Sequence, residues 1–188
     1  MLNPLIILIG GTSGTGKTTI GNLLFEKYNI NHRLGSGFIR EMLKPFIDIK
    51  ENPFLYNYSF RCHDNSYHPF QNLFLQSKVM RESMEMAVSR AYNEGTSILI
   101  EGVNIIPGLI NEKYVKSKMI FTIEDRDIHY NRINSKSHYK RKISLNDFKN
   151  VRKIQKEFIK SAKNFNWDII DTANEEKAIS LIKKIIEE

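Results

Sequence analysis

The chain has a single cysteine, Cys62, and five prolines in 188 residues. It also has no unbroken apolar run near the roughly 20 residues needed to span a bilayer. One thiol cannot build a disulfide framework within the chain, so a reducing cytoplasm is the expected compartment and no membrane partner is expected. No block of about 20 to 50 residues repeats, which argues against solenoids and propellers. The apolar stretch Leu5 to Ile9 has neither a basic leader nor a small-residue cleavage site after it. It reads as a buried strand running straight into glycines.

What is present is the composition of a folded globule, 41% hydrophobic and 26% charged, too apolar for disorder. The net charge of +7 calls for an anionic partner. That charge is unevenly spread. Between Arg132 and Lys163 eleven basic residues face two acids, a local +9, which leaves −2 for the rest of the chain. One segment therefore carries the anion-binding character. No aromatic-interleaved basic patch accompanies it, so a phosphorylated small molecule rather than nucleic acid is the expected partner. Nothing in the pattern sets an oligomeric state.

Apolar β-branched runs alternate with helical patterns along the chain. Leu5–Ile9, Ser97–Ile100, Lys118–Ile123 and Asp168–Ile170 read as strands, and a short element is expected around His32–Leu34. Helices are expected over Thr18–Tyr28, Phe38–Phe46, Phe70–Asn93, from about Asp125, over Asn146–Phe165 and from Asn174. Strands apolar on both faces and separated by helices imply a three-layer α/β fold, a parallel sheet flanked by helices with right-handed crossovers. Residues 1–188 are expected to form one domain, with an irregular region over about 37–70 and a basic, lid-like segment over about 131–145.

The chemistry starts at Gly11-Thr12-Ser13-Gly14-Thr15-Gly16-Lys17-Thr18, which fits the phosphate-binding pattern G-x-x-x-x-G-K-[ST] at every fixed position. Glycines let successive backbone N–H groups turn inward onto a phosphate at a helix N-terminus. Lys17 is expected on β- and γ-phosphate oxygens and the Thr18 hydroxyl on Mg²⁺. A strand before the loop and an amphipathic helix after it supply the required context. A dinucleotide-binding reading fails, since no acid ends a second strand about 20 residues on and that fold has no use for Lys17.

Ile98-Leu-Ile-Glu101-Gly102 is an apolar strand ending in a carboxylate, the type of group that orients Mg²⁺ or accepts the substrate proton in nucleotide-using folds. Arg132, Lys136, Arg141 and Lys142 lie where a lid would neutralise transition-state charge, so Arg132 and Arg141 join Lys17 and Glu101 as catalytic candidates. Arg61, His63 and Asp64 are candidate acceptor-pocket residues. Cys62, His63, Asp64 and His68 are too crowded, with no second cluster, to read as a zinc site.

On these motifs the chain resembles the 2-phosphoglycerate kinase family of archaea and related organisms. Gly10 to Thr19 is similar to that family's opening, Phe38-Ile-Arg-Glu41 to its first acceptor-side helix, and Ile100-Glu-Gly-Val-Asn-Ile-Ile-Pro-Gly108 to its most specific block. Phe148 to Gln155 and Ile169 to Thr172 are similar to its C-terminal helix and last strand. The resemblance implies transfer of the γ-phosphoryl of ATP to 2-phosphoglycerate, giving 2,3-bisphosphoglycerate. It puts Gly11 to Thr19 on ATP and Mg²⁺, Glu101 at the reacting centre and Arg40 near the acceptor phosphate, with Asn104 on the acceptor side.

Two positions depart from the family's pattern: Gly37 where Asp is often found, and Asn104 in place of His. The family's longer members carry an N-terminal regulatory module that has no counterpart expected before Leu5. Ser36-Gly37-Phe-Ile-Arg40 is also similar to the acceptor-side turn of adenylate kinases, which keeps a nucleoside or nucleotide kinase as the alternative. An RNA-binding or RNA-end kinase, suggested by the basic pI of about 9.4, is the more distant one.

Overall fold

A computed structural model describes residues 4–61, 68–135 and 143–187. The described strands are β1 (Ile6–Gly11), β2 (His32–Gly35), β3 (Ile98–Gly102), β4 (Ser117–Thr122) and β5 (Asp168–Asp171). All pair in parallel, in the order β2-β3-β1-β4-β5. The helices are α1 (Lys17–Lys27), α2 (Ser36–Leu43), α3 (Pro69–Glu94), α4 (Arg126–Ile133), α5 (Leu145–Asn164) and α6 (Glu175–Glu187).

Why the sheet is buried on both faces follows from β1 itself, whose six residues are all buried. Its odd and even side chains enter different cores. Ile7 and Ile9 join Ile20 and Leu24 of α1 and Ala178, Ile182 and Ile186 of α6. Ile6 and Leu8 join Ile39 of α2, Leu73, Met80, Met84 and Val88 of α3, and Phe148, Val151, Ile154 and Phe158 of α5. The result is the expected three-layer α/β architecture.

Helix ends differ from the periodicity where local chemistry intervenes. The helix expected to reach Phe46 stops at Leu43, because Pro45 cannot donate an N–H to continue it, and the chain tightens into a 3₁₀ turn at Lys44–Phe46. Helix α3 starts one residue early, on Pro69, with the His68 side chain accepting from the Phe70 N–H. Ser144 and Asp147 form a capping box that starts α5 at Leu145. Gly95, at φ 68°, closes α3 as expected.

The irregular excursion after α2 is pinned by side-chain amides, which satisfy backbone groups that have no ladder of their own. Gln76 Nε2 donates to Phe54 O at 2.7 Å and Asn57 O at 3.0 Å. Asn72 and Asn150 donate to Arg61 O and Phe60 O, each at 3.1 Å. Among the described residues no helix is long and apolar enough to cross a membrane.

Candidate functional site

Strand register gathers the site. Glu101 of β3 pairs with Ile9 of β1 on one side and with Gly35 of β2 on the other. The carboxyl ends of the three strands therefore share one edge, where the Gly11–Thr18 loop, Glu101 and the N-terminus of α2 meet. Crevices at such strand ends are where open parallel sheets bind ligands.

The loop takes its shape from positive φ at Gly14 (81°) and Gly16 (74°), angles that an L side chain adopts only under strain. Among the described residues no side chain caps α1, and a cavity lined by Gly16, Lys17, Thr18 and Thr19 lies at its N-terminus. The loop is braced from below. Thr15 Oγ1 donates to Thr12 O at 2.9 Å, and Thr172 Oγ1 to Thr15 O at 2.9 Å. His129 Nε2 lies 2.8 Å from Ser13 O, and its Nδ1 lies 3.3 Å from Arg152 Nη1. A guanidinium can only donate, so Nδ1 accepts and Nε2–H donates to the loop carbonyl: the ring is neutral.

Burial pushes the His129 pKa down to about 4 against the Ser13 bond, helped by Arg152, Lys17 and Arg132. Native His129 thus refuses the proton that the unfolded chain takes up near pH 6.5. Stability is fully present above that pH and is lost as pH falls from about 6.5 toward 4, by about 3 kcal/mol from this group. His129→Gln keeps a donor for Ser13 and removes the titration, so its stability should vary correspondingly less over that window in urea titrations. Equal pH slopes in the two proteins would remove His129 from this role.

Lys17 is the loop's charge. Its Nζ donates to Thr12 O at 2.6 Å and to Thr15 Oγ1 at 3.3 Å. Burial lowers its pKa to about 8, opposed by the nearby Glu101 carboxylate. Thr18 Oγ1 stands 3.5 Å from Glu101 Oε2, which puts a hydroxyl and a carboxylate, both hard oxygen donors, at one corner. The other Glu101 oxygen receives Arg33 Nη2, which also donates to Thr18 O at 3.2 Å, while Arg33 Nη1 donates to Asn22 Oδ1.

Two cavities open on either side of Lys17. One, of about 380 Å³, is lined by Ser13, Gly14, Gly16, Thr18 and Thr19 of the loop and by Arg132 and Glu175 beyond it. Arg132 Nη2 donates there to Ala173 O at 2.9 Å. The other, of about 790 Å³, lies between the loop and α2, bounded by Lys17, Thr18, Arg33, Gly37, Phe38 and Glu101. Gly11, Thr12 and Thr15 are buried beneath the loop and act as its frame.

Three expected acceptor contacts stand elsewhere. Arg40 Nη1 donates to Asn57 O at 3.1 Å and Nη2 to Glu41 Oε1 at 2.8 Å, tying α2 to the excursion. Arg61 pairs with Asp147 at 3.0 Å, holds that carboxyl below its usual range and fastens the excursion to α5. Asn104 is buried, its Nδ2 donating to Gln76 Oε1 at 2.9 Å and to Ser77 Oγ at 3.1 Å and its Oδ1 accepting from Ser36 Oγ at 3.1 Å. None of the three lines the larger cavity. Arg141, Lys136 and Lys142, with Cys62, His63 and Asp64, lie outside the described residues.

Arg33, His129, Arg152 and Thr172 join the site with no motif in the sequence to mark them. Arg33 is paired in register with Leu99 and so shares the α1 face of the sheet. Gly37, which departs from the resembled pattern, has open surroundings: a Cβ there meets no atom within 4 Å. Gly37→Asp places an acid in the first turn of α2, where helix propensity and dipole together favour it by about 1 kcal/mol. Its melting temperature should rise by about 3 °C in a thermal scan. A fall would mean that the site rejects a second carboxylate.

No family model matches the chain. It is similar to curated archaeal proteins named 2-phosphoglycerate kinase. It is 30% identical to that of Methanothermobacter thermautotrophicus over 71% of the chain and 47% of the relative. With that of Methanopyrus kandleri the identity is 27% over 97% of the chain and 61% of the relative, and with that of Pyrococcus furiosus 27% over 98% and 65%. The chain thus spans between about half and two thirds of the length of these relatives. Among solved structures it superposes on a shikimate kinase from Bacteroides thetaiotaomicron with a TM-score of 0.57 at 12% identity, covering 98% of the chain and 99% of that one. It superposes on a chain of the Pnkp1/Rnl/Hen1 RNA repair complex with a TM-score of 0.56 at 14% identity, covering 88% and 47%. These last two likenesses are of fold.

Proposed function

We propose that the protein is an ATP-dependent kinase that phosphorylates the hydroxyl of a small anionic metabolite, with 2-phosphoglycerate as the acceptor and 2,3-bisphosphoglycerate as the product. The observation that carries the reading is the junction of two cavities at one lysine. The smaller meets the uncapped start of α1 and suits nucleotide phosphates, and the larger opens from the same Lys17 toward α2 and suits an acceptor. Similarity to the archaeal 2-phosphoglycerate kinases over nearly the whole chain supports the choice of acceptor.

In this reading the loop N–H groups and Lys17 hold the β- and γ-phosphates, whose negative charge opposes the lowering of the lysine's pKa by burial. Arg132 approaches from α4 on the nucleotide side and Arg141 is assigned to the lid. The Thr18 hydroxyl and Glu101 carboxylate offer the oxygen pair that suits Mg²⁺. Bound there, Mg²⁺ would neutralise charge on the phosphates. Glu101 also faces the acceptor cavity, where it takes or orients the hydroxyl proton. The phosphoryl group leaves ADP and bonds to the acceptor oxygen. Such a loose transfer depends on positioning and charge neutralisation more than on a strong base, so glycine at position 37 is compatible with it. A cytoplasmic location fits this substrate and the lone cysteine.

The test is an ADP-release assay over 2-phosphoglycerate, 3-phosphoglycerate, glycerate, nucleosides and nucleoside monophosphates. We expect 2-phosphoglycerate to give the highest kcat/KM. Turnover confined to nucleosides or their monophosphates would replace it with the nucleotide-kinase reading.

A further inference from the structure

We propose that Arg33 is the residue that binds the anionic group of the acceptor, which makes it the specificity determinant of the larger cavity. The inference rests on the kinase reading above and names the partner of the acceptor's charge.

Elimination among the cations comes first. The larger cavity is lined by two basic side chains among the described residues, Lys17 and Arg33. Lys17 belongs to the phosphate loop and is committed to the nucleotide. Arg40 and Arg61, the arginines expected from the sequence, are turned to Asn57, Glu41 and Asp147 instead. Neither lines this cavity, so among the described residues Arg33 is the cation of its wall outside the phosphate loop.

Position comes second. The Arg33 guanidinium reaches over α1 to Thr18 O and to Glu101, the two residues that flank the reacting corner. It has room to do so because position 21 is glycine: a Cβ there would lie 3.4 Å from Nη2 and 3.5 Å from Nε. An anion held by Arg33 from the cavity side sits beside Glu101, with the rest of a small acceptor directed at the nucleotide.

Unused hydrogen-bonding capacity comes third. A guanidinium has five N–H donors. Three serve Asn22, Thr18 and Glu101. Among the described residues Nε has no partner but is buried against Gly21 of α1, so the N–H left for a ligand is the second one on Nη1. Glu101 balances the charge but leaves the fork incompletely filled. The free N–H on Nη1 suits one oxygen of a carboxylate or phosphate, with the guanidinium charge behind it. The ligand class is therefore a small acid carrying a carboxylate or phosphate next to its reacting hydroxyl. The exposed Glu26 at the cavity rim disfavours acceptors with a longer anionic tail.

The experiment is calorimetric titration of the ADP-bound protein with 2-phosphoglycerate and, in parallel, with inorganic phosphate, for wild type, Arg33→Gln and Arg33→Lys, with wild-type turnover measured separately. We expect Arg33→Gln to weaken 2-phosphoglycerate binding about 10- to 100-fold, as for loss of a charged hydrogen bond, with ADP affinity changed less than about twofold. Arg33→Lys should recover part of the loss, keeping the charge without the fork. Unchanged 2-phosphoglycerate affinity in Arg33→Gln would overturn the proposal. So would equal weakening of ADP and acceptor, the mark of a purely structural residue, or failure of both anions to bind the wild type. Anion binding that depends on Arg33 in a wild type that does not turn over 2-phosphoglycerate would keep the Arg33 assignment and discard 2-phosphoglycerate as the substrate.

Discussion

Replacing Lys17 with alanine is expected to lower kcat/KM by about a thousandfold or more while the protein stays folded. The loss follows from the role of charge in phosphoryl transfer. A loose transition state spreads negative charge over oxygens that preorganised cations stabilise, and removing one such contact typically costs several kcal/mol. The retention of fold follows from how the loop is held. Glycine backbone angles, Thr15, Thr172 and His129 support it independently of the lysine. The two Nζ bonds end on Thr12 O and Thr15 Oγ1, and the latter hydroxyl keeps its own bond to Thr12 O. An ammonium that burial already pushes down to about 8 contributes little to folding that alanine would forfeit. The melting temperature should therefore stay within a few degrees of wild type. A Lys17→Ala protein that turns over normally would end the phosphate-loop assignment, and one that unfolds would show the lysine to be part of the frame.

Glu101→Gln should lower kcat by about 100- to 1000-fold with a much smaller change in the KM for ATP. The carboxylate is buried, takes Arg33 on one oxygen and faces the Thr18 hydroxyl with the other. Glutamine keeps the shape and an acceptor for Arg33, so the backbone register of β3 between β1 and β2 is preserved. What it loses is the negative charge and the second acceptor, the properties that a metal oxygen site and an acceptor hydroxyl require. Glu101→Ala differs in kind. It leaves the part-buried Arg33 without its counter-charge and should also cost about 3 kcal/mol of stability. Steady-state kinetics on the glutamine variant and urea unfolding of the alanine variant separate the two effects. A glutamine variant with wild-type kcat would reduce Glu101 to a structural partner of Arg33.

The sheet, the phosphate loop and Glu101 were legible because each is written locally. The apolar runs of β1, β3 and β4 have no polar alternative to burial, and the loop's glycines and lysine have one well-defined use in that order. Glu101 stands out because it ends a buried run. The acceptor side was harder to read because the use of a cation there depends on which neighbours claim it first. Arg40 and Arg61 look available in sequence, yet Asn57 O, Glu41 and Asp147 claim them once the excursion packs on α3 and α5. Asn104 looks like a ligand in a resembling block and is instead consumed by Ser36, Gln76 and Ser77. Arg33 sits in a four-residue strand too short for a period, and its meeting with Glu101 is created by a crossover that places β2 beside β3. His129 was invisible for a similar reason, since its partner Ser13 lies 116 residues away in the chain.

In the proposed function Lys17 joins a nucleotide site to the site of a small phosphorylated acceptor. The most direct measurement is phosphorus NMR of the wild-type protein incubated with ATP, Mg²⁺ and 2-phosphoglycerate, with the Lys17→Ala protein alongside. The prediction is stoichiometric appearance of ADP and 2,3-bisphosphoglycerate with the wild type and neither with the variant. ADP and free phosphate without a phosphorylated acceptor, or bisphosphoglycerate formed equally by both proteins, would contradict it.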